Sequence, residues 1–176
     1  GDDSTAVCEF GSAWDGNKCI APGGTLVAYD INTGAVTDHC TIPKGGTNCN
    51  VKLKWTTANP IGTSQIITYG IAGKTITNPD GTTYLNQDIN PYDNSTGHAP
   101  IGNDGTQDMP VVYANGLGTH ETKSIYALYN NQQELQIGID SNGKPITNLT
   151  IFALCDSGSG WDGNKCVNPN ATLTTT

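Results

Sequence analysis

A twelve-residue segment bounded by cysteines occurs near both ends of this 176-residue chain. Residues 8–19 read CEFGSAWDGNKC and residues 155–166 read CDSGSGWDGNKC, so nine of the twelve positions are identical. The similarity continues without a gap into residues 20–29 and 167–176, which share a proline, a threonine and a leucine. All of these matches have the same offset of 147 residues. We therefore expect one complete repeat followed by the opening of a second.

The repeated segment also favours one pattern of disulfide bonds among the six cysteines. None of them lies in a CxxC or Cys/His pattern that binds zinc or haem, so disulfides in an oxidising compartment are the better interpretation. We therefore expect a secreted, extracellular protein. Pairing within each copy lets both copies form the same closed loop and leaves the two remaining cysteines for each other, although other pairings stay open on the sequence alone. The favoured bonds are Cys8–Cys19, Cys155–Cys166 and Cys40–Cys49.

The composition favours strands and turns over helices. Thr (24 residues) is common in strands, while Gly (22) and Asn (18) are common in turns. Residues 51–57, VKLKWTT, alternate apolar and polar side chains as a half-buried strand does. Many short strands separated by turn signals predict an all-β, antiparallel, immunoglobulin-like sandwich with small disulfide-closed loops at both ends. The other candidate strands are residues 25–30, 35–42, 64–71, 74–77, 82–85, 109–114, 123–129, 134–139 and 146–154.

The sequence predicts three consecutive parts. Residues 1–24 form an N-terminal disulfide loop and linker, residues 25–154 form the sandwich, and residues 155–176 form the repeated loop and a C-terminal strand. Within the sandwich, residues 86–108 are polar and are expected to form a long loop. Loops of this length in compact domains are usually functional or mobile.

The charge and the missing motifs argue against several classes of function. The net charge is −8, so the chain repels nucleic-acid phosphates. The chain also contains no arginine, the residue that forms bidentate hydrogen bonds with phosphates. No apolar run is long enough to span a membrane. The GxSxG, HExxH, Walker and dinucleotide-binding motifs are also missing. We therefore expect neither an enzyme nor a bound cofactor.

Calcium is the one metal that the sequence makes a candidate ligand. Asp88, Asn90 and Asp93 place hard oxygen ligands close together within the polar segment 86–108. A solvated loop without a metal is the alternative, because no bidentate glutamate follows at the position that an EF-hand requires.

Two features bear on glycans. Five tyrosines are candidates for an aromatic binding platform, although tyrosines in β proteins more often pack across strands. Three Asn-X-Ser/Thr sequons are candidate glycosylation sites in a secreted chain. The tyrosines are Tyr84, Tyr92, Tyr113, Tyr126 and Tyr129, and the sequons begin at Asn94, Asn148 and Asn170.

Residues 40–64, CTIPKGGTNCNVKLKWTTANPIGTS, and the flanking CxxGxxWDGxxC motifs carry a family resemblance. They resemble the immunoglobulin-like repeats of bacterial secreted and cell-surface proteins. In that group a Cys–loop–Cys–strand–Trp unit opens each domain, and a CxxGxxWxGxxC linker joins one domain to the next. The resemblance covers about residues 8–64 and 155–176, and it implies an immunoglobulin-like sandwich with a structural or adhesive role.

The leading hypothesis is the subunit of a surface filament or pilus that binds other copies of itself head to tail. Residues 171–176, ATLTTT, correspond to the opening strand of the repeat and are expected to add to a sheet of a neighbouring copy. Thr172, Leu173 and Thr174 would form that subunit contact. Head-to-tail contacts do not close on themselves, so they build open filaments. The alternatives are a glycan-binding or calcium-dependent adhesive module, and one module of a longer tandem-repeat surface protein.

Overall fold

The described part of the chain consists of strands and turns, without a helix. Accordingly, no helix that could cross a membrane occurs among these residues. The all-β class expected from the composition is therefore confirmed. This computed structural model describes residues 6–69, 75–77, 83–85, 89–91, 102–112 and 123–169.

Seventeen strands occur in the described residues, and most of them are short. In chain order they are β1 (Ala13–Trp14), β2 (Cys19–Ile20), β3 (Gly23–Tyr29), β4 (His39–Ile42), β5 (Asn48–Ala58), β6 (Gln65–Tyr69), β7 (Thr75–Thr77), β8 (Thr83–Leu85), β9 (Ile89–Pro91), β10 (Asp104–Val112), β11 (Lys123–Asn130), β12 (Gln133–Glu134), β13 (Gly138–Ile139), β14 (Pro145–Ile146), β15 (Leu149–Cys155), β16 (Gly160–Trp161) and β17 (Cys166–Val167).

Two larger sheets form a β-sandwich. The smaller has the strand order β10-β5-β3, and the larger has the order β4-β15-β11-β6-β9 with β12 paired to β11. A disulfide between Cys40 in β4 and Cys49 in β5 joins one sheet to the other. Short two-stranded hairpins account for the remaining strands, as β1–β2, β7–β8, β13–β14 and β16–β17.

Strand β5 shows most clearly how the sequence pattern builds the core. Val51 and Leu53 are completely buried and Trp55 is 2% exposed, while the two lysines between them are exposed. Successive side chains of a strand point to opposite faces, so the alternation places every second residue in the core. The predicted strand at 51–57 is therefore confirmed, and it extends further in both directions.

Strand β10 corrects the expectation of a loop at residues 86–108. Among the described residues, that segment contains β9 and the beginning of β10. Gly105 lies flat against the Trp55 ring, where a Cβ atom would come within 2.6 Å of Cζ2. The Asp104 carboxylate accepts a hydrogen bond from the Thr57 N–H at 3.2 Å. This polar sequence forms a strand because β10 lies at a sheet edge, where backbone pairing does not require apolar side chains.

One pair of strands corrects the expectation of a purely antiparallel sandwich. Strand β15 pairs with β4 in parallel, from Phe152 opposite His39 to Cys155 opposite Ile42. Antiparallel direction is imposed when a short hairpin connects two strands. More than a hundred residues separate β4 from β15, so their connection leaves the direction free.

Two other predicted strands are interrupted. Residues 134–139 contribute to β12 and β13, and residues 146–154 contribute to β14 and β15. The β13–β14 hairpin is separate from the larger sheets, and its tight turn is closed by the Gly143 N–H, which donates to the Asp140 carbonyl at 3.0 Å, with a Gly143 φ of +82°. Glycine adopts this left-handed conformation without a steric penalty.

The chain divides into two compact units. Each repeated segment belongs to a different unit, the N-terminal copy to the first and the C-terminal copy to the second. The first unit comprises Gly1–Val27, Lys54–Gln107 and Tyr126–Leu149, and the second comprises Ala28–Leu53, Asp108–Ile125 and Thr150–Thr176.

Candidate functional site

The two copies of the repeated segment, which we call loop 1 (residues 8–19) and loop 2 (residues 155–166), have the same internal structure. Each is closed by its own disulfide, with Cα–Cα distances of 5.5 Å in loop 1 and 5.6 Å in loop 2. Each also contains a two-residue antiparallel pairing, β1–β2 in loop 1 and β16–β17 in loop 2. Together with Cys40–Cys49, the structure therefore contains the three bonds that the repeat favours.

An aspartate organises the turn within each loop. In loop 1 the Asp15 carboxylate accepts hydrogen bonds from the backbone N–H groups of Asn17 at 2.7 Å and Lys18 at 2.8 Å. Gly16, between Asp15 and Asn17, has a φ of +108°, which explains why a glycine occupies this position. The equivalent residues of loop 2, with the same bonds and a glycine φ of +109°, are Asp162, Gly163, Asn164 and Lys165.

These hydrogen bonds lower the pKa of both aspartates. The pKa of Asp15 falls below its ordinary value of 3.8 because the N–H groups of Asn17 and Lys18 donate to the carboxylate. The pKa of Asp162 falls for the same reason, through the two equivalent N–H groups. A donor that binds the ionised form stabilises it. Both turns are therefore held by a carboxylate that is charged at neutral pH.

Asn59 attaches loop 1 to the first unit. Its side-chain Nδ2 donates to the carbonyl oxygens of Ala13 at 2.8 Å and Ile20 at 3.0 Å. Asn59 has a φ of +53°, a left-handed conformation that asparagine adopts more readily than most residues. One amide thus reaches both strands of the β1–β2 hairpin.

The turn that carries Asn59 is itself anchored by a buried asparagine. Asn130 is 2% exposed and accepts a hydrogen bond from the Ile61 N–H at 2.7 Å. Its amide group donates to the Ser64 hydroxyl at 3.0 Å, and that hydroxyl shares a 2.7 Å bond with the Thr57 hydroxyl. Neither asparagine could be singled out from the sequence, because the chain contains eighteen of them. The Asn-Pro dipeptide at 59–60 is the one local signal that marks this turn.

Loop 2 is held by a different kind of contact, along its main chain. The Asp156 N–H donates to the Ile42 carbonyl at 2.9 Å. The Cys166 N–H donates to the Gly46 carbonyl at 3.0 Å, and the Gly45 N–H donates to the Cys166 carbonyl at 2.7 Å. Cys166 is completely buried as a result. We call residues 42–46 the docking turn of loop 2.

The corresponding face of loop 1 is open. Cys19, which is equivalent to Cys166, is exposed, and Trp14 is 62% exposed, whereas its equivalent Trp161 is partly buried. The apolar side chains of Val7 and Phe10 are also exposed. A cleft of about 620 Å³ occupies this face. Its walls are formed by Ala6, Val7, Cys8, Ser12, Ala13, Trp14 and Cys19.

Similar residues also precede the first cysteine of each copy. Ala6 and Val7 precede loop 1 just as Ala153 and Leu154 precede loop 2, at the same offset of 147 residues. Ala153 and Leu154 belong to β15, where they pair with β4 next to the docking turn. In sequence, the two residues before loop 1 therefore resemble the two residues at the end of β15 that precede loop 2.

The candidate glycan residues lie in different environments. Asn148 is exposed between β14 and β15, where it is accessible for glycosylation. Tyr126 is 1% exposed, so it is excluded from an exposed aromatic platform, and Tyr129 is partly buried. Tyr84 belongs to β8. The remaining candidates, Tyr92, Tyr113, Asn94 and Asn170, lie outside the described residues.

Most of the calcium and subunit-contact candidates also lie outside the described residues. Asn90 belongs to β9, opposite Thr68 of β6. Within the described segments, no three His, Cys, Asp or Glu residues lie close enough together to hold a metal ion. The candidates beyond these segments are Asp88, Asp93, Thr172, Leu173 and Thr174.

Comparison of the chain with family models, with curated proteins and with solved structures finds no match. The chemistry of the chain gives a broader classification. Three disulfides in an all-β chain are typical of proteins from oxidising environments, of which the exterior of the cell is the commonest.

Proposed function

We propose that this chain is a structural module of an extracellular assembly, whose copies join head to tail as a surface filament or pilus. The observation that carries the proposal is the difference between the two loops. One face of loop 2 is covered by the docking turn, whereas the same face of loop 1 is open. A head-to-tail contact joins two different surfaces of the same kind of chain, and the open face of loop 1 is a surface that a second copy can cover.

The chemistry of the open face supports an interface with another protein. Phe10 is 92% exposed and Val7 is 85% exposed, and Val7 lines the cleft of loop 1 together with Trp14. Clustered apolar side chains on a protein surface commonly mark an interaction site. Tryptophan in particular contributes strongly to binding when a partner covers it.

The C-terminal residues 171–176 supply the second half of the proposed contact. Their sequence repeats the opening of β3, and Leu173 is equivalent to Leu26, which is 4% exposed within β3. We expect these residues to add a strand to a sheet of the next copy, with Leu173 as the buried anchor and with main-chain hydrogen bonds from Thr172 and Thr174.

An immunoglobulin-like topology for the sandwich belongs to the same proposal. Three features support it: two packed sheets, a disulfide that joins them, and the buried Trp55 on the central strand of the smaller sheet. A sandwich of this kind presents its loops at two ends, which suits a head-to-tail arrangement.

Light scattering of the non-reduced protein tests the assembly. We expect the full chain to be polymeric and a chain without residues 167–176 to be monomeric. Leu173→Asp in the full chain reproduces the loss, while Thr174→Asp serves as a matched control, because adjacent residues of a strand point to opposite faces. Polymers of the same size with and without the C-terminal residues would contradict the proposal.

In a covalent form of the same assembly, the chain is one module of a longer tandem-repeat surface protein. The repeat itself supports this form, because residues 167–176 then open the next module. Mass spectrometry of the native polypeptide distinguishes the two. An intact mass far above 18.4 kDa indicates a covalent array, and a mass close to that value indicates separate subunits.

A further inference from the structure

We infer that the repeated loop is a joint with two separate binding faces, so that one loop contacts the copy before it and the copy after it at the same time. The inference rests on the covalent form of the proposed function, in which successive copies share one loop, because the docking turn and Asn59 of a separate chain already bind its own two loops. It adds the identity of the partner on each face: the docking turn of one copy and Asn59 of the other.

Loop 2 shows the face that binds the preceding copy. Its contacts are made by the Asp156 N–H and by the N–H and carbonyl of Cys166, all directed at the docking turn. The equivalent residues in loop 1 are Glu9 and Cys19, and both are exposed. The open face of loop 1 therefore carries the residues equivalent to those whose backbone groups bind the docking turn in loop 2.

Loop 1 shows the face that binds the following copy. Here the contacts are the carbonyl oxygens of Ala13 and Ile20, which accept the Asn59 amide. The equivalent residues in loop 2 are Gly160, which is exposed, and Val167, which is partly buried. Loop 2 therefore presents this face for the Asn59 of a second copy.

The two faces use different atoms of the same hairpin. Ala13 pairs with Ile20, and Trp14 pairs with Cys19 in the next position along the hairpin. Adjacent pairs of an antiparallel hairpin alternate between hydrogen bonds within the pair and backbone groups that point outward. Cys166 directs its N–H and carbonyl outward to the docking turn, and Cys19 occupies the same position in its own hairpin. The contacts at the two faces therefore use adjacent residue pairs of the hairpin.

The residues before each loop identify the same partner independently. Ala153 and Leu154 pair with Cys40 and Thr41 of β4, immediately before the docking turn. Residues 6 and 7 repeat this pair as alanine and valine. In the covalent array these two positions are those of Ala153 and Leu154 beside β4 of the preceding copy, so strand and loop have the same partner.

A tandem protein with a single shared loop tests the joint. Residues 1–166 of a first copy are followed directly by residues 20–176 of a second, so that loop 2 of the first copy also serves as loop 1 of the second. NMR residual dipolar couplings report whether the two copies align as one body. We expect a single alignment tensor for both copies.

Asn59 supplies a matched pair of variants. Asn59→Gly keeps the left-handed backbone and removes the amide. In the second copy it removes the contact with the shared loop, so we expect the two alignment tensors to become different. In the first copy it leaves the shared loop unaffected, so we expect the single tensor to persist. Unchanged chemical shifts elsewhere in each copy show that both remain folded.

Two results would overturn the inference: separate tensors in the unsubstituted tandem, or a single tensor that persists after Asn59→Gly in the second copy. Either result can be distinguished from a failure of the proposed head-to-tail assembly. If separate full-length chains stay monomeric while the tandem aligns as one body, the joint stands and head-to-tail assembly of free chains does not. If free chains polymerise while the tandem has two tensors, the joint is wrong and assembly stands.

Discussion

In loop 2 the main chain of Cys166 pairs with Gly45 and Gly46, whereas in loop 1 the equivalent Cys19 is exposed. The two turns are nevertheless the same, with matching hydrogen bonds to Asp15 and Asp162. The conformation of the loop is therefore set by its own sequence. Its burial is set by the neighbouring segment, because the docking turn lies against loop 2, whereas the equivalent residue Cys19 of loop 1 is exposed.

Removing the disulfides one at a time gives the largest expected difference between the loops. Both bonds close a loop with a sequence separation of 11, which corresponds to about 3 kcal/mol of chain entropy in each. We expect Cys155→Ser with Cys166→Ser to lower the free energy of unfolding by about that amount, because loop 2 is docked along its main chain. Denaturation in guanidinium chloride measures it.

The matched double variant, Cys8→Ser with Cys19→Ser, is expected to cost about 1 kcal/mol or less of the same free energy. Without its disulfide, loop 1 can open by itself while the rest of the chain stays folded, so the loss is limited to the contacts that attach it. Equal losses for the two double variants would show that both loops are equally coupled to the fold.

Substitution of Asn59 tests whether loop 1 is attached to the fold by this side chain alone, whereas loop 2 is held by its main chain. Asn59→Gly removes two hydrogen bonds to loop 1, and we expect loop 1 to open more easily by about 1–2 kcal/mol. Asn59→Asp is expected to cost more, because a carboxylate then faces two carbonyl oxygens. Hydrogen exchange of peptides from residues 8–20 and 155–167 measures the effect. Loss of protection in loop 2 as well would contradict the assignment of Asn59 to loop 1.

Acid is expected to weaken both turns to the same extent. The pKa of Asp15 and the pKa of Asp162 are lowered in the folded state by the same backbone donors. Their stabilising effect is therefore fully present above the unfolded value of 3.8 and is lost as the pH falls through the lower folded pKa. Carbon-detected NMR titration of both carboxyl groups measures this. Clearly different pKa values would mean that burial, rather than the turn, controls the titration.

The smallest effect on stability is expected for Phe10→Ser, which gives loop 1 the residue that loop 2 has at position 157. Phe10 is 92% exposed, so the free energy of unfolding should change by about 0.5 kcal/mol or less. Association between copies should nevertheless weaken, because the open face loses an apolar side chain. Thermal unfolding and light scattering separate the two effects, with Val36→Ser as a control at another exposed apolar position.

The features that the sequence predicted well depend on local pattern. The repeat with its turn glycines and the alternation along residues 51–57 each follow from neighbouring residues alone. The disulfide pattern followed from symmetry between the copies, because identical segments are expected to fold alike.

The features that the sequence did not predict depend on distant partners. The parallel pairing of β15 with β4 and the start of β10 at Asp104 arise from strands that meet across the fold. The difference between the open face of loop 1 and the covered face of loop 2 could not be predicted either, because the residues that cover loop 2 lie more than a hundred positions away in the sequence. The sequence pattern within either loop gives no indication of these distant contacts.

The parallel pairing of β15 with β4 has a mechanical consequence. Cys155 ends β15 opposite Ile42, and the Cys40–Cys49 disulfide fixes β4 to the other sheet. Tension applied to the chain beyond Cys155, in line with the strand, loads the rungs of this ladder in shear, so they must yield together rather than one after another. For a pull in this direction, the parallel pair therefore resists separation more strongly than a hairpin whose rungs open one at a time.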